Sequence, residues 1–490
     1  MAARSGATVW RTLQDSSNRR SHRTIDTHRT HRRRDRARRR GGRVAVSADL
    51  RQFDVMRRVK PIRITIRSRP LVRFGTNLLL AALVLATAFA VDPSDTEWGL
   101  QRFAPAKYAP AFLATLALPF YWLGARGFPL ATLPFLSVLS FAVFVIAGSV
   151  YTIFQYGAEL SDSFLGRGLC ALPFLPSYMA MYLPTEKRYL ERRLAVVLVL
   201  AAVVMVVILG LWRLGVRMVD LKHIYHEQCV YFAAVVGAAL ADPWAMRRIA
   251  LVVFFSLAAA ATIKLTGFAF ALIGIGAMFI VELRSRRRMR QPAAAARRLW
   301  VATVACATFA SVATAAIVYQ ALLPSGSPGV RLVTYSERWE LFQSSPLWGQ
   351  LFVGSPIMRV GLSVLPSHSD TFDVMAFGGT LGLILFLLPC IVALKHAILS
   401  LPDYVARTAR MELAATVFVA SFLFELTFNP VLNQAKLALP FWFSVACLVV
   451  DWRIRAPERQ VAMRDKRVVH GDRRRWPPVL EPGGGVPALK

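Results

Sequence analysis

Apolar stretches of membrane-crossing length recur from Leu71 to Val450, and they restrict the fold more than any motif does. About twenty consecutive apolar residues span a bilayer as an α-helix, and no other open-chain structure satisfies its backbone polar groups in lipid. The spans read as Leu71–Val91, Ala109–Gly124, Phe128–Val150, Gly168–Leu183, Leu194–Leu214, His226–Ala241, Ile249–Ile263, Leu265–Val281, Leu299–Leu323, Phe372–Ile398, Met411–Phe428 and Ala435–Val450. Composition agrees: of 490 residues 55% are hydrophobic and 18% charged, with a mean hydropathy of +0.45. A soluble chain of this length would divide into domains with charged surfaces. The expected fold is therefore an all-α polytopic membrane protein of about 12 transmembrane helices. Residues 71–323 would carry the first nine and residues 372–450 the last three.

The net charge of +32 sits mostly outside those spans, in residues 1–70, in the Arg284–Arg298 connection and in the tail at 451–490. Basic runs of this kind can bind nucleic acid, but the retention of Arg and Lys in cytoplasmic loops explains them with no partner. No soluble folded domain accompanies the basic runs, so no nucleic-acid partner is expected. The run His31–Arg40 has no apolar stretch behind it and is not a secretory signal; a disordered cytoplasmic segment touching anionic lipid is expected. Met56 offers an alternative start.

With the N-terminus inside, the connections Glu186–Arg193, Met246–Arg248, Arg284–Arg290 and Tyr404–Arg410 and the tail all fall on the cytoplasmic side. Both termini are then cytoplasmic, and residues 324–371 form one large outward loop late in the chain. The other connections are short, and a loop of this length with its own aromatic and ionisable residues reads as functional. Cys170, Cys229, Cys306, Cys390 and Cys447 all fall in spans with no CxxC spacing, as buried apolar residues do; no metal site is expected from them.

Two submotifs stand in or beside the loop. Ser336–Gly349 begins with Glu337, Arg338 and Trp339 on an amphipathic helix that should end at Ser344–Ser345, ahead of Pro346. The Arg338 guanidinium suits a phosphate or diphosphate; an ion pair with Glu337 or Glu340 is the plainer reading. Arg331 and Arg359 add charge on the side that the positive-inside bias leaves poor in arginine. The second submotif is Ser367–Pro389. His368 precedes a membrane helix capped by Ser369 or Asp370, and an imidazole can act as a general base near neutral pH. Asp370 and Asp373 suit the positive helix end, and Gly378, Gly379 and Gly382 a close helix contact. Charges near outer span ends complete the set: His226, Glu227, Lys264, and Glu425 among apolar neighbours. Such groups cost about 2.5–3.5 kcal/mol at a helix centre and tend to face an interior or a wet cavity.

The pattern R-W-x-x-x-x-x-x-P-L-x-G, followed by H-S-D-x-x-D-x-x-x-x-G-G-x-x-G, resembles the signature region of the O-antigen ligase and O-antigen polymerase family over Thr262–Pro389. The earlier spans match that family in layout only. The resemblance implies a glycosyltransferase of the bacterial inner membrane with a late periplasmic loop and no cofactor. Its partners would be an undecaprenyl-diphosphate-linked glycan donor and a glycan or lipid acceptor. Arg338 and His368 would carry catalysis, and Arg331, Arg359, Lys264 and Glu425 would bind substrate. Two positions depart from the family: IKLTG stands where Ser-Arg is usual, and His-Ser where His-Asn is usual. Two other classes fit the chain as well. One is a metal-dependent C-type glycosyltransferase using Asp92, Asp95 and Glu97; the other is a lipid-linked glycan transporter, which would show repeats and broken helices.

Overall fold

The computed structural model describes residues 64–91, 106–157, 163–215, 228–262, 265–286, 327–356, 358–360, 363–365 and 369–454. They form a helical bundle belonging to the unit Ile62–Lys490. In chain order the helices are α1 Arg69–Val91, α2 Ala109–Thr115, α3 Ala117–Gly124, α4 Leu133–Tyr156, α5 Leu165–Ala171, α6 Phe174–Met181, α7 Pro184–Arg213, α8 Val230–Ala239, α9 Ala245–Ala260, α10 Leu265–Arg286, α11 Ser327–Ser344, α12 Asp370–Ala406 and α13 Arg410–Glu425. A last helix, α14, runs over Ala435–Ile454. Two small antiparallel pairings join β1 (Thr65–Ile66) to β2 (Ala125–Arg126), and β3 (Met358–Val360) to β4 (Ser363–Leu365).

Six of these helices (α1, α4, α7, α10, α12 and α14) are long and apolar enough to cross a bilayer. The chain is a multi-pass helical membrane protein. Its outer surface is apolar where lipid would lie: α7 presents Val196, Val199, Leu200, Val203 and Val207, all more than half exposed. Cys170, Cys229, Cys390 and Cys447 are buried, as read from the sequence, and none of the four forms a disulfide among the described residues; Cys306 lies outside the described residues.

Several expected spans come out broken or short. Ala109–Gly124 divides into α2 and α3 at Leu116. The expected span Gly168–Leu183 is two short helices meeting at Leu172–Pro173, because proline removes a donor and crowds the preceding turn. Among the described residues, the span at His226–Ala241 yields the ten residues of α8, about 15 Å of helix. The stretch Leu299–Leu323 lies outside the described residues.

The largest departure concerns α12 and the segment before it. Phe386 lies beside Phe441 and Trp442 of α14, with ring centroids 6.4 and 5.8 Å away. Ten residues further along both chains, His396 reaches Asp451, so the two helices run parallel and in step. Toward the N-terminus the step fails. Asp370 accepts from the Leu432 amide at 2.6 Å, although it lies sixteen residues before Phe386 and Leu432 only ten before Trp442. At 1.5 Å per residue a straight α12 would overshoot by several ångströms. The chain turns at Gly379, whose φ of 62° and ψ of −164° are open only to glycine.

The amide and carbonyl groups left unpaired at this break are met by the segment that follows α11. Thr380 and Leu381 donate from their backbone to the carbonyls of Pro346 and Leu347, and the Phe352 amide donates to the Phe377 carbonyl. The Phe352 ring is fully buried against Phe141, Phe144 and Phe164, over the bare faces of Gly378 and Gly382. The expected loop 324–371 is thus in part a packed element of the bundle. The reason is physical: a broken membrane helix needs backbone partners that lipid cannot supply.

Small residues also set the other helix approaches. A Cβ on Gly237 of α8 would meet the backbone of Leu413 and Ala414 on α13, so these two helices pack backbone to backbone. Nearby, the Tyr231 hydroxyl donates to the carbonyl of Lys436 at 2.7 Å, tying α8 to the start of α14. Tyr231→Phe should lower stability by about 1 kcal/mol, a single net hydrogen bond. A thermal melt of the purified protein in nanodiscs would test this, and an unchanged melt would remove the bond from the account.

Candidate functional site

The end of the bundle where α11, α12 and α5 meet holds four buried charges. Arg167 of α5 donates from Nε to Asp370 Oδ1 and from Nη2 to Asp373 Oδ2, both at 2.6 Å. Arg338 of α11 donates from Nε to the other oxygen of Asp373 at 2.9 Å, and from Nη2 to the Pro356 carbonyl at 2.8 Å. None of the four residues is more than 4% exposed. Asp373 therefore joins two guanidinium groups. The rings of Phe164 and Phe377 face the carbons of Arg167 and Arg338 at 4.8 and 5.0 Å, which adds cation–π attraction.

Local sequence explains how these groups meet. Asp370 and Asp373 stand three residues apart, so they lie on one face of the first turn of α12. Ser369 caps that turn by accepting from the Phe372 amide, one of the two caps expected. The two carboxylates, expected to serve the helix end, face the arginines as well. Ser369 and Thr371 donate to the carbonyl of Leu426, just beyond α13, and Tyr335 of α11 donates to the Thr427 carbonyl while stacking on Phe372 at 4.6 Å. Four helices are thereby pinned at one end.

The expected helix over the Arg338 motif is present and ends at Ser344 ahead of Pro346, but it begins ten residues before Glu337. Arg338 also contacts Glu337, from Nη1 to Oε2 at 3.2 Å, so the ion pair weighed from sequence exists alongside the buried one. Glu425 is the last residue of α13 and fully buried, with the Asn429 amide 3.4 Å from Oε1. Gln228, Asn429 and Lys436 are further buried polar residues, near the start of α8, the end of α13 and the start of α14. Arg331 lies in α11 and Arg359 in β3, but their side chains are outside what is described. His226, Glu227, Lys264 and His368 lie outside the described residues, as do Asp92, Asp95 and Glu97. Among the described residues, no group of three His, Cys, Asp or Glu side chains is placed to hold a metal ion.

Arg167 is the residue that sequence reading missed. The expected span began at Gly168, one residue too late to include it. The signal was present all the same: Arg167 stands alone in the apolar run Phe164–Pro176, and a charge there requires a buried partner.

Charge decides what the site can do. Two arginines and two aspartates balance, so the buried set is neutral, and Glu337 adds one negative charge at its rim. The Nε and Nη2 donors of Arg338 are fixed by buried acceptors. Among the described residues, its Nη1 meets the Glu337 carboxylate, which is 39% exposed. No protein-family model matches the chain, and no curated protein matches it either.

Proposed function

We propose that the chain is a membrane glycosyltransferase of the O-antigen ligase and polymerase type. It would transfer or polymerise undecaprenyl-diphosphate-linked glycans at the outer face of a bacterial inner membrane, with both termini in the cytoplasm. The observation that carries this reading is the Arg338–Asp373 ion pair. It joins the two halves of the motif, holding the arginine of the first half against a carboxylate five residues after His368 in the second.

In this reading Arg338 Nη1 meets the diphosphate and offsets the charge that develops as it leaves. The acceptor hydroxyl attacks the anomeric carbon, and the bond from that carbon to the diphosphate oxygen breaks. His368 takes the hydroxyl proton, and undecaprenyl diphosphate departs. Arg331, Arg359, Lys264 and Glu425 are the further substrate contacts of the proposal. His368→Ala should insert at the wild-type level yet lose glycan transfer by about 100-fold or more, as removal of a general base does. The measurement is transfer from a labelled lipid-linked glycan in proteoliposomes, and full activity in that variant refutes the assignment.

The broken α12 favours a second reading, a transporter of lipid-linked glycans, since such proteins interrupt membrane helices beside their substrate. The same proteoliposomes distinguish the two: movement of labelled lipid between leaflets with no new glycosidic bond selects the transporter.

A further inference from the structure

We infer that Glu337 is an internal placeholder for the anionic group of the substrate, holding Arg338 Nη1 until a diphosphate displaces it. This rests on the reading of Arg338 as the diphosphate ligand and adds a residue that sets the affinity of that site.

Three observations support it. The contact from Arg338 to Glu337 is 3.2 Å, longer than the 2.8 and 2.9 Å bonds that fix its other two nitrogens. Glu337 is 39% exposed while Asp373 is 1% exposed, so the two carboxylates on Arg338 differ sharply in access to solvent. Finally, Glu337 is not needed for neutrality, because Arg167 and Arg338 already balance Asp370 and Asp373. Neighbouring residues on a helix do not face one another, so this pairing places few demands on the fold and is cheap to break. An entering phosphate oxygen takes the position of Glu337 Oε2 on Nη1, and the freed carboxylate turns to water. Phe377, at 5.0 Å from the guanidinium carbon, keeps the arginine in place during the exchange.

Sign and size follow. While Glu337 is charged it competes for Nη1 and repels the incoming anion. Glu337→Gln removes both effects and should tighten diphosphate binding by roughly five- to tenfold at low salt, with the gain shrinking as salt rises. The experiment uses the full chain in nanodiscs and measures binding of undecaprenyl diphosphate, with uncharged undecaprenol for comparison. Glu340→Gln, one residue beyond Trp339 on the exposed side, should leave both affinities unchanged. Glu337→Ala is the second variant should the glutamine form fold poorly, and it too should bind tighter. If the wild-type chain binds the diphosphate no better than the alcohol, Arg338 is not the anion ligand and the proposed function loses its basis. If the wild type prefers the diphosphate but both Glu337 variants bind it equally or more weakly, the placeholder is overturned while the anion site stands.

Discussion

Arg167→Met should lower stability by about 3–5 kcal/mol, because it leaves two carboxylates buried without one of their cations. Among the described residues, Asp370 would keep the Leu432 amide and Asp373 would keep Arg338. The measurement is the melting temperature and the yield of monodisperse protein in detergent. Two companion variants separate charge from shape. Arg167→Lys keeps the charge but loses the fork that reaches both carboxylates, so it should fall between wild type and methionine. Adding Asp370→Asn to Arg167→Met removes one uncompensated charge and should recover part of the loss. A methionine variant as stable as wild type would falsify the claim that this network clamps α5, α11 and α12.

Gly379→Ala should be nearly as damaging, for a reason that lies in the backbone. A Cβ there would stand 2.5 Å from the Gly349 nitrogen and the Leu347 carbonyl oxygen, and the residue adopts φ of 62° and ψ of −164°. Strain of about 1–3 kcal/mol adds to an overpacking cost of similar size, and backbone atoms cannot rotate away as a side chain can. Gly349→Ala meets the same contact from the other side, 2.5 Å from the Gly379 nitrogen, and should produce the same phenotype. Either variant should release the segment 346–356, read as faster amide exchange at Thr380, Leu381 and Phe352 and as new protease cleavage near Trp348. Gly276→Ala is the control, since nothing lies within 4 Å of a Cβ at that position. Unchanged exchange in both variants would mean that the break in α12 does not depend on the docked segment.

Much of the architecture was legible because its causes are local. Long apolar runs identified α1, α4, α7, α10, α12 and α14, since lipid imposes length and hydrophobicity on each helix separately. Pro346 marked the end of α11, and Ser369 the start of α12, since proline and a capping hydroxyl act within a turn. The motif around Arg338 marked an arginine that the fold buries and pairs. What its arginine touches was only half legible: Glu337 is adjacent in sequence, whereas Asp373 and Pro356 are reached only after folding.

Three glycines at Gly378–Gly382 read as a surface for helix packing; in the fold two of them seat a phenylalanine from another segment and the third breaks the helix. Arg167 and Asp373 lie more than two hundred residues apart, and no spacing rule links positions that distant. The sequence by itself determined the membrane class, most helix positions and the charged residues that would need partners, because hydrophobic length, caps and the cost of burying a charge are properties of short stretches. Tertiary structure alone decided which charges pair, where α12 bends and how much of the late segment enters the bundle. Those outcomes depend on backbone groups and side chains from distant parts of the chain satisfying one another where water is scarce.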